Sequence, residues 1–186
     1  MKAIKIPTLL TLFRLFLVPV FVVVFYLPFG WAHVVTAAIF ALAGLTDWLD
    51  GYLARKWHQE TEFGAFLDPV VDKIMVAFAL VLLVSEPNLF FIAIPAAIII
   101  CREIVVSALR EWMSKIGERA SVAVNYIGKV KTAIQMIAII VLLAINPLSY
   151  GFFFFSGYIL LYFAALLTLW SMCMYLKTAW PNFKLG

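Results

Sequence analysis

DWLDGYLARKWHQETEFGAFLDPVVDK, Asp47 to Lys73, carries four aspartates, Asp47, Asp50, Asp68 and Asp72, inside a chain that is otherwise mostly apolar. Asp47 and Asp50 are three residues apart, and Asp68 and Asp72 four apart. Both spacings place the side chains of a pair on one face of an α-helix. The stretch therefore reads as the end of one helix and the start of the next, with two pairs of carboxylates aimed at a common space. Ionised carboxylates that close repel one another strongly, the more so away from bulk water, so something positive must sit among them. All-oxygen ligand sets suit hard cations such as Mg²⁺ or Mn²⁺. Four carboxylates are enough for a pair of such ions, which can clamp both ends of a phosphoryl displacement.

The surroundings decide the fold. Of 186 residues, 66% are hydrophobic and 13% charged, and the mean hydropathy is +1.06. A soluble domain sits nearer one half apolar and one quarter charged, so the excess must face lipid. Hydrophobic runs delimit six candidate spans, at residues 7–27, 31–57, 68–84, 89–113, 126–145 and 152–177, each about the length that crosses a bilayer. Pro28, Gly30, Pro87, Asn88, Asn146, Pro147 and Gly151 mark breaks between them. The expected fold class is all-α: an integral membrane bundle of six transmembrane helices, in a single domain over residues 1–186. The basic start of MKAIKIPTLLTLFRLFLVPV resembles a signal peptide, but no small-x-small cleavage site follows and Arg14 interrupts the apolar run. It reads as a retained first helix.

Charge sets the orientation. The connections around residues 28–30, 85–88 and 146–151 contain no Lys or Arg. Lys2 and Lys5, Arg55 and Lys56, Lys115 and Arg119, and Lys177 and Lys184 all fall at the other ends of the spans. By the positive-inside rule that side is the cytoplasm, with both termini there, as an even number of spans also requires. The net charge of +4 is explained by these loops and needs no nucleic-acid partner. Cys101 and Cys173 fall in apolar runs and read as small buried hydrophobes.

Weighed singly, the acids have plainer readings. Asp68 precedes Pro69 and could cap a helix; Asp47 and Asp50 could pair with Arg55 or Lys56. Taken together, four intramembrane acids at helical spacing are costly and point to function. Gly51 and Gly64 remove side chains where a ligand could approach the backbone, Ala54 keeps the same face low, and Arg55 can fork onto phosphate oxygens.

Asp47-x-x-Asp50-Gly51-x-x-Ala54-Arg55, followed after eight residues by Gly64-x-x-x-Asp68-x-x-x-Asp72, resembles the signature of the CDP-alcohol phosphatidyltransferase family. IPTLLTLFRL, REIVVSALREW and NYIGKVKTAIQM resemble a bacterial branch that joins CDP-diacylglycerol to sn-glycerol 3-phosphate and releases CMP. Thr8 departs from the pattern, since many relatives have Asn after the proline. The resemblance implies that Asp47, Asp50, Asp68 and Asp72 hold the ions, two of Mg²⁺ or Mn²⁺, and that Asp72 is also the general base. It implies that Gly51, Ala54 and Gly64 make room for the cytidine nucleotide and that Arg55 binds its diphosphate. It also implies a bacterial inner-membrane location and a homodimer.

The acceptor that the resemblance implies is a phosphate dianion, so its pocket should be basic. Arg102, Glu103, Ser107 and Arg110 form a polar strip on the fourth span, with Arg102 and Arg110 about 80° apart. Gly128, Lys131, Thr132 and Gln135 share a face of the fifth. Arg110 and Lys131, then Arg102, are the expected phosphate ligands, joined by Lys129 if the fifth helix begins late. Against this, basic residues near span ends often snorkel to headgroups, and Arg102 could simply pair with Glu103. The same chemistry with serine, inositol phosphate or phosphatidylglycerol as acceptor, a membrane prenyltransferase and a divalent-cation transporter are the competing functions. Ala37, Ala41 and Gly44 form a small-residue stripe that usually means close helix packing. Phe152–Phe155 reads as an interfacial or lipid-facing anchor, and neither His33 nor His58 has a partner by spacing.

Overall fold

The computed structural model describes residues 6–57, 62–87, 89, 91–115, 126–145 and 151–180. Among the described residues there are six helices and no strand: α1 (Ile6–Phe25), α2 (Ala32–Trp57), α3 (Glu62–Ser85), α4 (Ala93–Lys115), α5 (Tyr126–Ala144) and α6 (Phe152–Ala179). Five of the six expected spans coincide with these helices to within a few residues. The exception is α3, which begins at Glu62 and not at Asp68, so Pro69 lies inside the helix. The N-cap reading of Asp68 is thereby excluded. Pro69 and Pro19 of α1 each remove one backbone bond, a defect that a bundle tolerates when neighbouring helices hold the segment in place.

The helices pack as two linked groups. Helix α1 lies against α2 and α3, while α6 receives both α4 and α5; α2 meets α5, and α3 meets α4, α2 and α5. The core between them is built from Phe21 and Phe40, whose rings lie 6.1 Å apart, with Val71, Leu80, Leu83, Ile99, Ile139, Leu143 and Leu161 fully buried.

Polarity is inverted relative to a soluble protein. Thr11, Arg14, Thr36, Asp50, Arg102, Lys131, Gln135 and Thr168 are buried, whereas Phe16, Phe66, Leu166 and Phe152 are among the most exposed large side chains. Buried polar groups inside and bulky apolar groups outside are what a lipid surround requires. Helices α2 (over Ala32–Asp50) and α6 (over Phe152–Lys177) are long and apolar enough to cross a bilayer, and Leu9–Phe25 and Val130–Ala144 are shorter apolar helices. Cys101 and Cys173, expected to be buried, lie on the outside; a thiol is apolar enough for that surface. Of Phe152–Phe155, only Phe154 is buried, and the other three face outward as an anchor would. His33 packs edge-on against Phe25 and plays a packing role. His58 lies outside the described residues. Phe91, between α3 and α4, adopts a positive φ of 62°, and the Tyr162 hydroxyl donates to its carbonyl at 3.0 Å, tying this connection to α6.

The small-residue stripe of α2 does mediate close packing: Ala37 is buried, and the space beside Gly44 is filled by Met136 of α5. Gly157 of α6 makes a second close approach, to Leu142 and Val141 of α5. The two differ in what could yield. A methyl at Gly44 would come within 2.8 Å of Met136 Cε, the free end of a flexible chain. At Gly157 it would meet Leu142 Cγ and Cδ2, both at 2.8 Å, on a side chain that is itself buried. Gly44→Ala is therefore expected to be neutral or stabilising by up to about 1 kcal/mol, through helix propensity. Gly157→Ala is expected to lose roughly 1–3 kcal/mol through overpacking. Thermal unfolding of both variants in one detergent checks the ordering.

Candidate active site

Three helices bring the four aspartates together. The amino end of α1, the carboxyl end of α2 and the amino end of α3 lie at the same end of the bundle. At 1.5 Å per residue, Arg14, Asp47, Asp50, Asp68 and Asp72 all lie about 9–15 Å in from their nearest helix ends. Their common depth follows from sequence position alone once the helices run antiparallel.

The positive group among the aspartates is Arg14. Its guanidinium is 1% exposed and forks across the cluster: Nη1 donates to Asp47 Oδ1 at 2.8 Å and to Asp72 Oδ1 at 2.6 Å, and Nη2 donates to Asp50 Oδ2 at 2.6 Å. Asp68 Oδ1 lies 3.6 Å from Nη2 and accepts a hydrogen bond from the Thr11 hydroxyl, one turn before Arg14 on α1. The planar fork of Arg suits this role, since a point charge cannot address several carboxylates in fixed directions. Asp50 is buried, with 3% of its side chain exposed, whereas Asp47, Asp68 and Asp72 are exposed by 41%, 39% and 44%. The cluster thus has a closed back, formed by Arg14 and Asp50, and an open front formed by the other three carboxylates.

In the sequence Arg14 reads only as an interruption of an apolar run. A stronger signal was present: an ionisable residue in mid-helix needs a partner, and the four acids need a cation. Pairing the two deficits would have found it.

The structure places the remaining expected residues as follows. Gly64 is buried in the first turns of α3, on the same face as Asp68 and Asp72. Gly51 and Ala54 continue the Asp47 and Asp50 face of α2 by register, and Arg55 follows about 80° round from Asp47; α2 stays helical to Trp57, but the three side chains lie outside the described residues. Lys131 and Gln135 are buried together on one face of α5. Thr132, expected on that face, is exposed. The side chains of Arg110 and Lys129 lie outside the described residues; their backbones belong to α4 and α5.

Arg102 is engaged elsewhere. It is buried where α4 packs on α6, with Nη1 donating to Glu103 at 2.6 Å and Nη2 to Ser171 at 3.3 Å. The pairing with Glu103 occurs even though adjacent helical residues point apart, because both side chains are long enough to bend together. Among the described residues Arg102 makes no contact with the aspartates, and its Nε and the nearby helix α6 hydroxyl of Thr168 are buried without partners.

A four-carboxylate site near one end of an apolar helical bundle is suited to reactions between a lipid-borne and a water-borne substrate, and comparison with known sequences gives the class. The sequence model of the CDP-alcohol phosphatidyltransferases matches residues 4–170, and the chain belongs to that family. Two curated relatives carry the name CDP-diacylglycerol–glycerol-3-phosphate 3-phosphatidyltransferase. One, from Salmonella paratyphi A, is 56% identical over 175 residues, which cover 94% of each chain. The other, from Yersinia enterocolitica, is 55% identical over 178 residues, covering 96% of each. Membership of this family sets aside the prenyltransferase and transporter readings.

Proposed function

We propose that the chain transfers the phosphatidyl group of CDP-diacylglycerol to sn-glycerol 3-phosphate, giving phosphatidylglycerophosphate and CMP. The observation that carries the reading is the convergence of Asp47, Asp50, Asp68 and Asp72 from two helices onto one buried guanidinium, in a chain similar over nearly its whole length to enzymes named for that reaction. The chain forms one domain of six membrane-crossing helices in the bacterial inner membrane. Both termini and the aspartates are on the cytoplasmic side, where CDP-diacylglycerol presents its headgroup to soluble acceptors.

The chemistry of the donor set suits a divalent cation, although among the described residues the carboxylates, turned to Arg14, do not group as a ligand set. The set consists only of carboxylate oxygens, the ligands preferred by Mg²⁺ and Mn²⁺, and three of the four side chains reach the open front. Asp47, Asp50, Asp68 and Asp72 would hold the ions, two in number. A bound divalent cation would supply neutralisation of the diphosphate charge.

The chain's own groups do the rest. Gly51, Ala54 and Gly64 leave a low surface for the cytidine nucleotide, and Arg55 binds its diphosphate. Lys131 and Arg110 hold the acceptor phosphate, with Lys129 in a supporting position; Arg102, committed to Glu103 and Ser171, is left out of the pocket. Asp72 takes the proton from the 1-hydroxyl of glycerol 3-phosphate. The freed oxygen attacks the phosphorus attached to diacylglycerol, a new P–O bond forms, and the bond to CMP breaks with its electron pair leaving on CMP. The acyl chains stay in the bilayer throughout.

The test is incubation of the purified protein in detergent with CDP-diacylglycerol, Mg²⁺ and one alcohol at a time, with CMP and lipid product as readouts. Glycerol 3-phosphate is expected to give product that EDTA abolishes; product only with serine or inositol phosphate would refute the acceptor assignment. Lys131→Gln is expected to raise KM for glycerol 3-phosphate by about 10-fold or more, the worth of one charge-assisted hydrogen bond, with KM for CDP-diacylglycerol little changed. A uniform loss in kcat with both KM values intact would remove Lys131 from the acceptor pocket.

A further inference from the structure

We infer that Arg14 is the built-in counterion of the aspartate cluster, and that it competes with the divalent cation for the same carboxylate oxygens. The inference rests on the reading of those carboxylates as the cation's ligands. Four observations converge on it. Arg14 comes from α1, a helix that contributes no carboxylate to the site, and it is buried within the cluster. Its two Nη atoms reach one oxygen of each of Asp47, Asp50 and Asp72, and Nη2 lies 3.6 Å from Asp68 Oδ1, so every assigned ligand is already turned towards it. Its Nε is buried without an acceptor among the described residues, so the guanidinium is not fully satisfied where it sits. Finally, the contacts are unequal: Asp50 is closed off, while Asp47, Asp68 and Asp72 are open by about two-fifths.

That inequality gives the direction of the exchange. A cation arriving from the open front meets three carboxylates whose lone pairs already accept from Arg14 or Thr11. Each oxygen it recruits is one that a guanidinium N–H must release or share. The Asp50 contact at the closed back can persist, so Arg14 stays anchored there and yields Asp47 and Asp72. Without the cation, Arg14 neutralises the repulsion that would otherwise splay α2 from α3. Arg14 is in this sense a positioning residue: it keeps the ligands assembled for the ion that displaces it from Asp47 and Asp72.

The experiment measures Mn²⁺ binding to the full chain in detergent, by the loss of the free-ion electron paramagnetic resonance signal, without substrates. Arg14→Lys is the decisive variant. It keeps the positive charge, so through-space repulsion of Mn²⁺ is unchanged, but an ammonium cannot bridge the carboxylates in the fixed directions of a guanidinium fork. Arg14→Lys is expected to bind Mn²⁺ at least about threefold more tightly than the parent. Arg14→Gln, which also removes the charge, is expected to gain about tenfold or more. The rise in melting midpoint on adding Mn²⁺ should grow in the same order, since a ligand stabilises the state it binds in proportion to the logarithm of its affinity. A purely structural Arg14 would lower the midpoint equally with and without Mn²⁺ and leave affinity alone. Unchanged or weaker binding by Arg14→Lys overturns the inference, and that variant decides alone if Arg14→Gln does not fold. Saturable binding that is equal in parent and variant removes the competition but spares the cation site. No saturable binding in either removes the cation reading and the inference together.

Discussion

Asp72→Asn is expected to lower CMP release by at least about a thousandfold at saturating substrates, the upper part of the range for removing a general base. The same variant should unfold, in EDTA, within a few degrees of the parent or above it. The two halves of this expectation come from the same geometry. Asp72 accepts from Arg14 at 2.6 Å, but 44% of its side chain is exposed, so solvent screens the pair and its loss is cheap. Asn keeps an oxygen that can accept the same hydrogen bond. It also removes one of four carboxylates that share a single guanidinium, which relieves repulsion. What Asn cannot do is take a proton from the acceptor hydroxyl or act as an anionic ligand. Measuring CMP release and the melting midpoint on one preparation separates the two. Activity above one tenth of the parent would show that Asp72 is not the base, whatever the stability.

Arg14→Met is expected to have the opposite signature, with stability as its main loss. Removing one partner of a buried charge pair typically costs about 3–5 kcal/mol, because the charge left behind has neither water nor counterion. Here the full penalty applies to Asp50 alone, which is 3% exposed, while Asp47, Asp68 and Asp72 can turn to solvent. A drop of roughly 6–20 °C in the metal-free melting midpoint follows for a chain of this size. The contribution of Asp50 can be isolated by a double-mutant cycle. Asp50→Asn should be clearly destabilising in the parent and neutral or stabilising in Arg14→Met, since there it removes the stranded charge. Additive effects would mean that the Arg14–Asp50 contact at 2.6 Å carries little of the stability.

Much of the fold was legible in the sequence because the bilayer is a strict solvent. Hydrophobic runs of spanning length become helices, since no other structure satisfies the backbone in lipid, and the helix limits agree closely with the runs. The α3 boundary was misjudged for a local reason. Pro69 after Asp68 is a strong start signal, yet the preceding residues from Glu62 are helical and tertiary packing overrides the break. The carboxylate cluster was legible because residues three or four apart on a helix must share a face. The basic residues were less so. Lys131 faces inward as expected, but Arg102 turns to Glu103 and Ser171, a choice set by which helix packs against α4.

The sequence by itself determined the all-helical class, the approximate limits of every helix but α3, the pairing of Asp47 with Asp50 and of Asp68 with Asp72, and the family signature they belong to. These are consequences of covalent order and helical periodicity, which act within one segment. Only the tertiary structure decided what stands between the two pairs. Arg14 precedes Asp47 by 33 residues and Asp72 by 58, and no local rule couples positions so far apart. They meet because α1 packs against both α2 and α3 with its amino end at the same end of the bundle. In an apolar interior, a lone guanidinium and a set of unpaired carboxylates are each too costly to leave alone.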